Sequence, residues 1–250
     1  APFTEQLPFT LTGAQTRAIQ EISRDMARDV PMSRILVGDV GCGKTVCAAA
    51  AIYVAVKNGC QAALMAPTEI LARQHASDLI PMLGRLGISC ELLIGAMTSA
   101  QKNKVKERLE RGETKVLIGT QALLTDTVEF SNLGLVVVDE QHRFGVEQRA
   151  ILARKGEHSH MLVMSATPIP RSMALALFGD LDMTRIDEIP PGRQKVDTFL
   201  VDESYRERLD GFVRKQVAEG GQVYIVCPSV EESEKEDASE VFLSEISEFG

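Results

Sequence analysis

The stretch Arg34-Ile-Leu-Val-Gly-Asp-Val-Gly-Cys-Gly-Lys-Thr45 constrains this 250-residue chain more than any other. An apolar run, Ile35 to Val37, breaks at Gly38, and a helical pattern resumes at Lys44 and continues through the alanine-rich Val46 to Val56. Strand, glycine-rich turn and helix, in that order, is the context a phosphate-binding loop requires. Gly38, Gly41 and Gly43 permit backbone angles closed to other residues. The N–H groups of the loop, Asp39, Val40 and Cys42 included, can therefore turn inward on a polyphosphate at a helix N-terminus. Lys44 is spaced to reach the β- and γ-phosphates, and the Thr45 hydroxyl to hold Mg²⁺.

The rest of the chain alternates around that loop. Pro2, Phe3, Pro8 and Phe9 mark residues 1–10 as an extended entry segment. Ala14, Ala18, Ile22 and Met26 share one face of a helix over 13–29, which Pro31 ends just before the first strand. Short apolar runs come next at Ala62 to Met65, Ser89 to Ile94, Lys115 to Ile118, Leu135 to Val138 and Met161 to Met164. They alternate little, as strands buried on both faces of a parallel sheet do. Helical spacing joins Ala72, Ala76, Leu79 and Leu83, and again Val105 and Leu109. The order implies an α/β, doubly wound, mostly parallel sheet.

The residues just past each strand carry the chemistry. Gly38-Asp39, Pro67-Thr68-Glu69, Gly119-Thr120-Gln121, Asp139-Glu140-Gln141-His142 and Ser165-Ala166-Thr167-Pro168 all stand at strand ends. In a parallel sheet those ends share one edge, where open α/β folds bind ligands. Asp139 suits a hold on Mg²⁺, and Glu140 can orient and deprotonate an attacking water.

Composition bounds these readings. Apolar residues make up 44% and charged residues 25%, as in a globular protein. No apolar stretch has the length of a membrane span, and the first residues lack the order of a signal peptide. A chain opening at Ala1 without Met reads as a piece of a longer protein. Five cysteines, Cys42, Cys47, Cys60, Cys90 and Cys227, lack C-x-x-C spacing and imply reduced thiols in a cytoplasmic protein rather than a zinc site. Most of the net charge of −8 belongs to residues 229–250, where Glu231, Glu232, Glu234, Glu236, Asp237, Glu240, Glu245 and Glu248 face Lys235 alone. The near-neutral remainder neither demands nor excludes a nucleic-acid partner. Lys102, Lys104, Lys106, Arg108 and Arg111 are interleaved with Glu107, Glu110 and Glu113 and read as a solvated helix face.

Pro190-Pro191-Gly192 lies within an expected linker, since neither a helix nor a central strand accommodates it. Beyond it, Val196 to Val201, Ser204 to Ala218 and Gln222 to Val226 read as strand, helix and strand of a second, incomplete α/β unit with an acidic tail.

The phosphate loop, Ala66-Pro-Thr-Glu-Ile-Leu-Ala72, Asp139-Glu-Gln-His-Arg-Phe-Gly-Val146 and Ser165-Ala-Thr-Pro-Ile-Pro-Arg171 together resemble superfamily 2 helicases, and within them the bacterial branch-migration helicases. The likeness runs from Phe9 to about Glu234. It implies a RecA-like first lobe over 1–189, a linker over 190–195 and part of a second lobe over 196–250. It implies an ATP- and Mg²⁺-dependent monomeric motor on branched duplex DNA, at work in fork rescue, recombination and repair, in the bacterial cytoplasm at the nucleoid. It assigns Phe9 to stack on adenine and Gln15 to read its amino edge. Gln141 and His142 would sense the γ-phosphate, Ser165, Ala166 and Thr167 would couple hydrolysis to movement, and Thr68, Glu69, Gly119 and Thr120 would track the DNA backbone. Backbone amides and hydroxyls at helix starts bind phosphates without many lysines, which fits the modest positive charge.

The sequence departs from the family at Cys42, where Ser is usual, and at Gln121, where His is common. The arginine-bearing segment of the second lobe and the wedge domain preceding the motor do not occur in these residues, which implies weak hydrolysis by this chain alone. Two rival readings are a transcription-repair coupling translocase and a nucleotide-binding module without motor activity. At a helix N-terminus near Lys44, Cys42 is expected to have a lowered thiol pKa, so that alkylation blocks nucleotide binding.

Overall fold

A computed structural model of the chain describes residues 2–125, 127–139, 159–166, 181–188, 190 and 197–226. The chain divides into two compact units, Ala1–Arg193 and Gln194–Gly250. In the first, α1 (Pro2–Glu5), α2 (Gly13–Met26), β1 (Ser33–Gly38), α3 (Lys44–Lys57), β2 (Gln61–Met65), α4 (Glu69–Gly84), β3 (Cys90–Leu93), α5 (Ser99–Glu110), β4 (Val116–Gly119), β5 (Leu133–Asp139), β6 (His160–Ser165) and β7 (Asp182–Ile186) occur in that order. The strands form one sheet in the order β3-β4-β2-β5-β6-β1-β7, and every described pairing is parallel.

The two-residue period of a strand sorts its side chains onto opposite faces. Leu36, Leu64, Ile118, Leu135, Val137, Leu162 and Met164 join one core with Ala14, Ala18, Ile22, Ile52 and Leu79 of the helices. Their chain neighbours Ala63, Met65, Leu117, Val136 and Val138 pack on the other face with Leu109 and Leu123, and Ile35, Val37 and Val163 form a third cluster. This two-sided burial accounts for the continuous apolar runs. Ala48, Ala49, Ala50 and Ala51 are all buried, so the small side chains of α3 let its axis lie close to the sheet. A Leu or Ile fully buried in such a core contributes about 1.5–3 kcal/mol.

Some local expectations change. Residues 1–10 are not wholly extended: Pro2 starts the single turn of α1, a position where its missing N–H costs nothing. Phe3 is buried and its ring lies 5.6 Å from that of Tyr53. The sheet also has a strand that no apolar run announced, β7, which pairs with β1. As an edge strand it buries only Thr184 and Ile186 and exposes Asp182 and Arg185. In the second unit a 3-10 turn (Glu203–Tyr205) leads into α6 (Arg206–Ala218), but residues 197–202 and 221–226 form no strand. A strand needs a neighbour for its ladder, and none lies beside them among the described residues.

At the end of the sheet opposite the strand carboxyl termini, Arg34 ties three elements together. Its Nε and Nη2 donate to Asp25 Oδ2 of α2 at 2.7 and 2.5 Å, and its Nη1 donates to Thr184 Oγ1 of β7 at 2.6 Å. Arg34, Asp25 and Thr184 are all buried. Replacing Arg34 by Met leaves the buried Asp25 carboxylate only the exposed Arg28, 3.7 Å away, and urea unfolding should show a loss of about 3 kcal/mol. Burial also holds the Cys47 and Cys90 thiols up at about 12. The folded state therefore keeps protons that the unfolded chain releases above its ordinary value of 9.0, so stability is complete below that pH and declines as pH rises toward 12. The denaturation midpoint should fall between pH 8 and about 10.5, less steeply in a Cys47→Ala, Cys90→Ala variant.

Candidate nucleotide and metal site

From β1 the chain crosses to β2, goes out to the edge strand β3 and returns as β4 between β3 and β2; β5 and β6 then fill the gap between β2 and β1. The carboxyl ends of β1, β6 and β5 are thus consecutive along one edge. Asp139 pairs in register with Met164, and Met164 with Leu36. At strand spacings of about 4.8 Å, Asp139 and the end of β1 lie roughly 10 Å apart, a gap suited to a metal-bound polyphosphate.

The loop after β1 owes its path to a few contacts. Gly43 adopts φ +93°, and a Cβ there would stand 2.2 Å from Gln15 Nε2. Gln15 Nε2 donates to the Cys42 carbonyl at 2.8 Å, and its Oε1 accepts the Thr12 N–H at 3.0 Å within the capping box of α2. Gln15, at 2% exposure, is therefore neither a solvated helix residue nor free at either end of its amide. Gly38 is similarly constrained: a Cβ would meet Cys42 Sγ at 2.5 Å and the Ile186 carbonyl at 3.0 Å. Lys44 folds back across the loop, its Nζ donating to the Gly38 and Asp39 carbonyls at 2.6 and 3.1 Å. Helix α3 begins at Lys44 with no side-chain cap, so its positive end is directed at whatever the loop encloses. Asp39 Oδ1 accepts the Val40 N–H at 2.7 Å, while Gly41, at φ +78°, supplies the other left-handed turn.

Cys42 corrects one expectation. Its side chain is 1% exposed and turned against Gly38 rather than toward the loop's concavity. Burial raises the thiol pKa, and that effect outweighs the nearby Lys44 charge and the backbone amide of the helix start. The thiol is a packing group and not an activated nucleophile.

Asp139 closes β5 as a buried carboxylate, with His75 Nε2 of α4 2.6 Å from its Oδ2. His75 is a site residue that sequence reasoning missed. A signal existed: it falls on the buried stripe of α4, between Ala72 and Ala76, where a titratable ring must find a partner.

Elsewhere on the edge, Thr68 caps α4 by accepting the Leu71 N–H, and Glu69 Oε1 accepts the Ala96 N–H at 2.9 Å, bracing the loop after β3. Gly119 ends β4 where a Cβ would stand 2.3 Å from the Leu93 carbonyl, and Thr120 leads into a 3-10 turn (Gln121–Leu124). Ser165 ends β6 and is buried; Ala166 lines a cleft of about 400 Å³ with Gly38, Asp39 and Arg185. Phe9 is 48% exposed, so it is not a core residue; it lines a cleft of about 510 Å³ with Leu7, Pro8, Leu11 and Thr16. Glu140, Gln141, His142 and Thr167 lie outside the described residues. Two of the basic residues of α5 and its C-cap pair within the protein, Arg108 with Glu91 and Glu113, and Arg111 with Glu107 and Glu113.

A glycine loop feeding an uncapped helix, with a strand-end carboxylate two strands away, defines a P-loop nucleotide-binding lobe. The chain belongs to the DEAD/DEAH box helicase family, whose model matches residues 12–175. It is similar to the ATP-dependent DNA helicase RecG of Thermotoga maritima, 53% identical over 233 residues, covering 93% of this chain and 30% of that protein. RecG of Aquifex aeolicus is 52% identical over 233 residues, covering 92% of this chain and 29% of its own length. The solved structure of RecG bound to a three-way DNA junction matches 98% of this chain and 32% of that one, with a TM-score of 0.82 and 48% identity. The chain thus spans about a third of the length of the relatives it matches. The DEAD-box helicase Mss116, at 18% identity and TM-score 0.61, shares the fold. No helix among the described residues is long and apolar enough to cross a membrane.

Native-state alkylation tests the placement of the thiols. Iodoacetamide should label the half-buried Cys60 well before the buried Cys42 and Cys47, and peptide mass mapping after brief exposure should show that order.

Proposed function

We propose that this chain is the ATP-binding part of a RecG-like DNA helicase that uses ATP and Mg²⁺ to remodel branched duplex DNA in replication-fork rescue, recombination and repair. The observation that carries the reading is the shared sheet edge of Lys44 and Asp139 in a chain about half identical to RecG. We assign 1–189 to a first motor lobe, 190–195 to a linker and 196–250 to part of a second lobe, in a monomeric motor acting at the bacterial nucleoid.

Hard oxygen donors, the Asp139 carboxylate and Thr45 hydroxyl, suit Mg²⁺, which takes one or two protein ligands plus substrate phosphates rather than an all-protein cage. When bound, the metal neutralises charge developing on the β- and γ-phosphate oxygens. Lys44 exchanges the Gly38 and Asp39 carbonyls for those oxygens, and the amides of 39–45 cradle the phosphates. Phe9 offers its exposed ring to the adenine. Gln15 holds the loop through the Cys42 carbonyl and Thr12 N–H, and it reads the base edge by exchanging one of those bonds for the base. Glu140 takes the proton of the attacking water, with Gln141 and His142 reporting the γ-phosphate. Ser165, Ala166 and Thr167 transmit its loss. Thr68, Gly119 and Thr120 meet the DNA backbone, and Glu69, repelled by phosphate, serves them by bracing the neighbouring loop.

RecG is known bound to a three-way junction, and ATP-driven unwinding of such a junction by the full-length protein that contains this chain is the test. Lys44→Ala should lower turnover on the order of 10²–10³, as loss of a preorganised charge in such a site does, with the fold retained by circular dichroism. Unwinding that survives Lys44→Ala would favour a nucleotide-binding module without motor activity.

A further inference from the structure

We propose that His75 is a positioning residue for the metal site: its hydrogen bond fixes the Asp139 carboxylate in the orientation that receives Mg²⁺. This rests on the nucleotide-site reading above and adds a residue to it. Three observations carry it. His75 Nε2 and Asp139 Oδ2 are 2.6 Å apart and both side chains are buried. A carboxylate that ligates Mg²⁺ only accepts hydrogen bonds, so the proposal requires Nε2 to be the donor. Second, the imidazole is held by its own surroundings. It projects from α4 between Ala72, Ala76 and Leu79, all buried in the core under the sheet, so its ring position is set by packing and not by a surface rotamer. Third, Asp139 is the last residue of β5, after the fully buried Val136, Val137 and Val138. The ladder pairs its backbone with Met164, and the bond from α4 fixes the carboxylate, whose rotation the ladder does not restrain.

The bond has a function beyond satisfying a buried carboxylate. Carboxylates that ligate metals are oriented by outer donors, and removing such a donor typically weakens metal binding 10–100-fold. His75 meets that description: a fixed N–H, on a different element, engaging one oxygen of the carboxylate. Its helix starts at Thr68, on the same edge, so the metal-facing carboxylate is braced from the element that also borders the proposed DNA-facing rim.

The test uses the full 250-residue chain with Mn²⁺ as an EPR-visible substitute for Mg²⁺ and a non-hydrolysable ATP analogue. His75→Ala, and His75→Met as a variant that keeps the volume without a donor, should weaken Mn²⁺ binding to the nucleotide-bound chain about 10–100-fold. Nucleotide binding in EDTA should be unchanged. His75→Gln, whose amide can donate to the same oxygen, should recover most of the metal affinity. Wild-type Mn²⁺ affinity in a folded His75→Met chain overturns the proposal, as does an equal loss of metal-free nucleotide binding, which marks a purely structural role. Asp139→Asn separates the two levels. Its loss of Mn²⁺ binding beside an unaffected His75→Met refutes the brace alone, whereas unaltered Mn²⁺ binding in Asp139→Asn refutes the metal-site reading on which the brace depends.

Discussion

The amide of Gln15 lies where a side chain on residue 43 would have to stand, and that contact sets the path of the phosphate loop. A Cβ on Gly43 would be 2.2 Å from Gln15 Nε2, so glycine is required there for space as well as for its φ of +93°. The same Nε2 satisfies the Cys42 carbonyl, and the other end of the amide belongs to the capping box of α2. A single neutral hydrogen bond is worth about 1 kcal/mol net, but orphaning a buried carbonyl costs about 1–3. The loop, the start of α2 and the start of α3 therefore move as one piece. Lys44, bound to the Gly38 and Asp39 carbonyls, holds its charge inside that piece and does not extend it into solvent.

The sheet turns this local rigidity into a site. Parallel pairing brings every strand to the same edge with the same polarity, and the late insertion of β5 and β6 between β2 and β1 sets Asp139 and Ser165 beside the loop. The far end of β1 is secured by Arg34, through Asp25 and Thr184. Charged groups at that end maintain the fold, whereas at the carboxyl edge Lys44 and Asp139 are the groups proposed to meet nucleotide and metal. A polar rim on a rigid apolar sheet satisfies the geometric demand of phosphoryl transfer, which needs fixed positions more than it needs covalent chemistry.

Much of this was legible in the residues because strands buried on both faces leave uninterrupted apolar runs. Ile35 to Val37, Ala62 to Met65 and Leu135 to Val138 announced β1, β2 and β5 within a residue or two at most boundaries. β7 gave no such run because an edge strand is only partly covered: Thr184 and Ile186 are buried on one face, Arg185 is exposed on the other, and Asp182 is exposed at the strand's start. Apolar content at Val196 to Val201 and Gln222 to Val226 suggests strands, but content alone does not supply the partner a ladder needs. Cys42 was misjudged for a different reason. Its position at a helix start was evident, while the direction of its side chain depended on Gly38 and β7 coming close in space. The His75–Asp139 pair joins residues 64 positions apart, and no local pattern encodes such a distance. The roles of Glu140, Gln141, His142 and Thr167 rest on the family resemblance, since they lie outside the described residues.

The loop after β1 and the end of β5 together make the carboxyl edge of the sheet an ATP and metal site in this reading. A crystal structure of the chain with a non-hydrolysable ATP analogue and Mg²⁺ tests this most directly. It should show the triphosphate wrapped by residues 38–45, Lys44 Nζ moved from the Gly38 carbonyl onto the β- and γ-phosphates, and the metal between Thr45 and the Asp139 side of the site. Nucleotide bound elsewhere, or Lys44 still on the Gly38 and Asp39 carbonyls beside an ordered triphosphate, would contradict it.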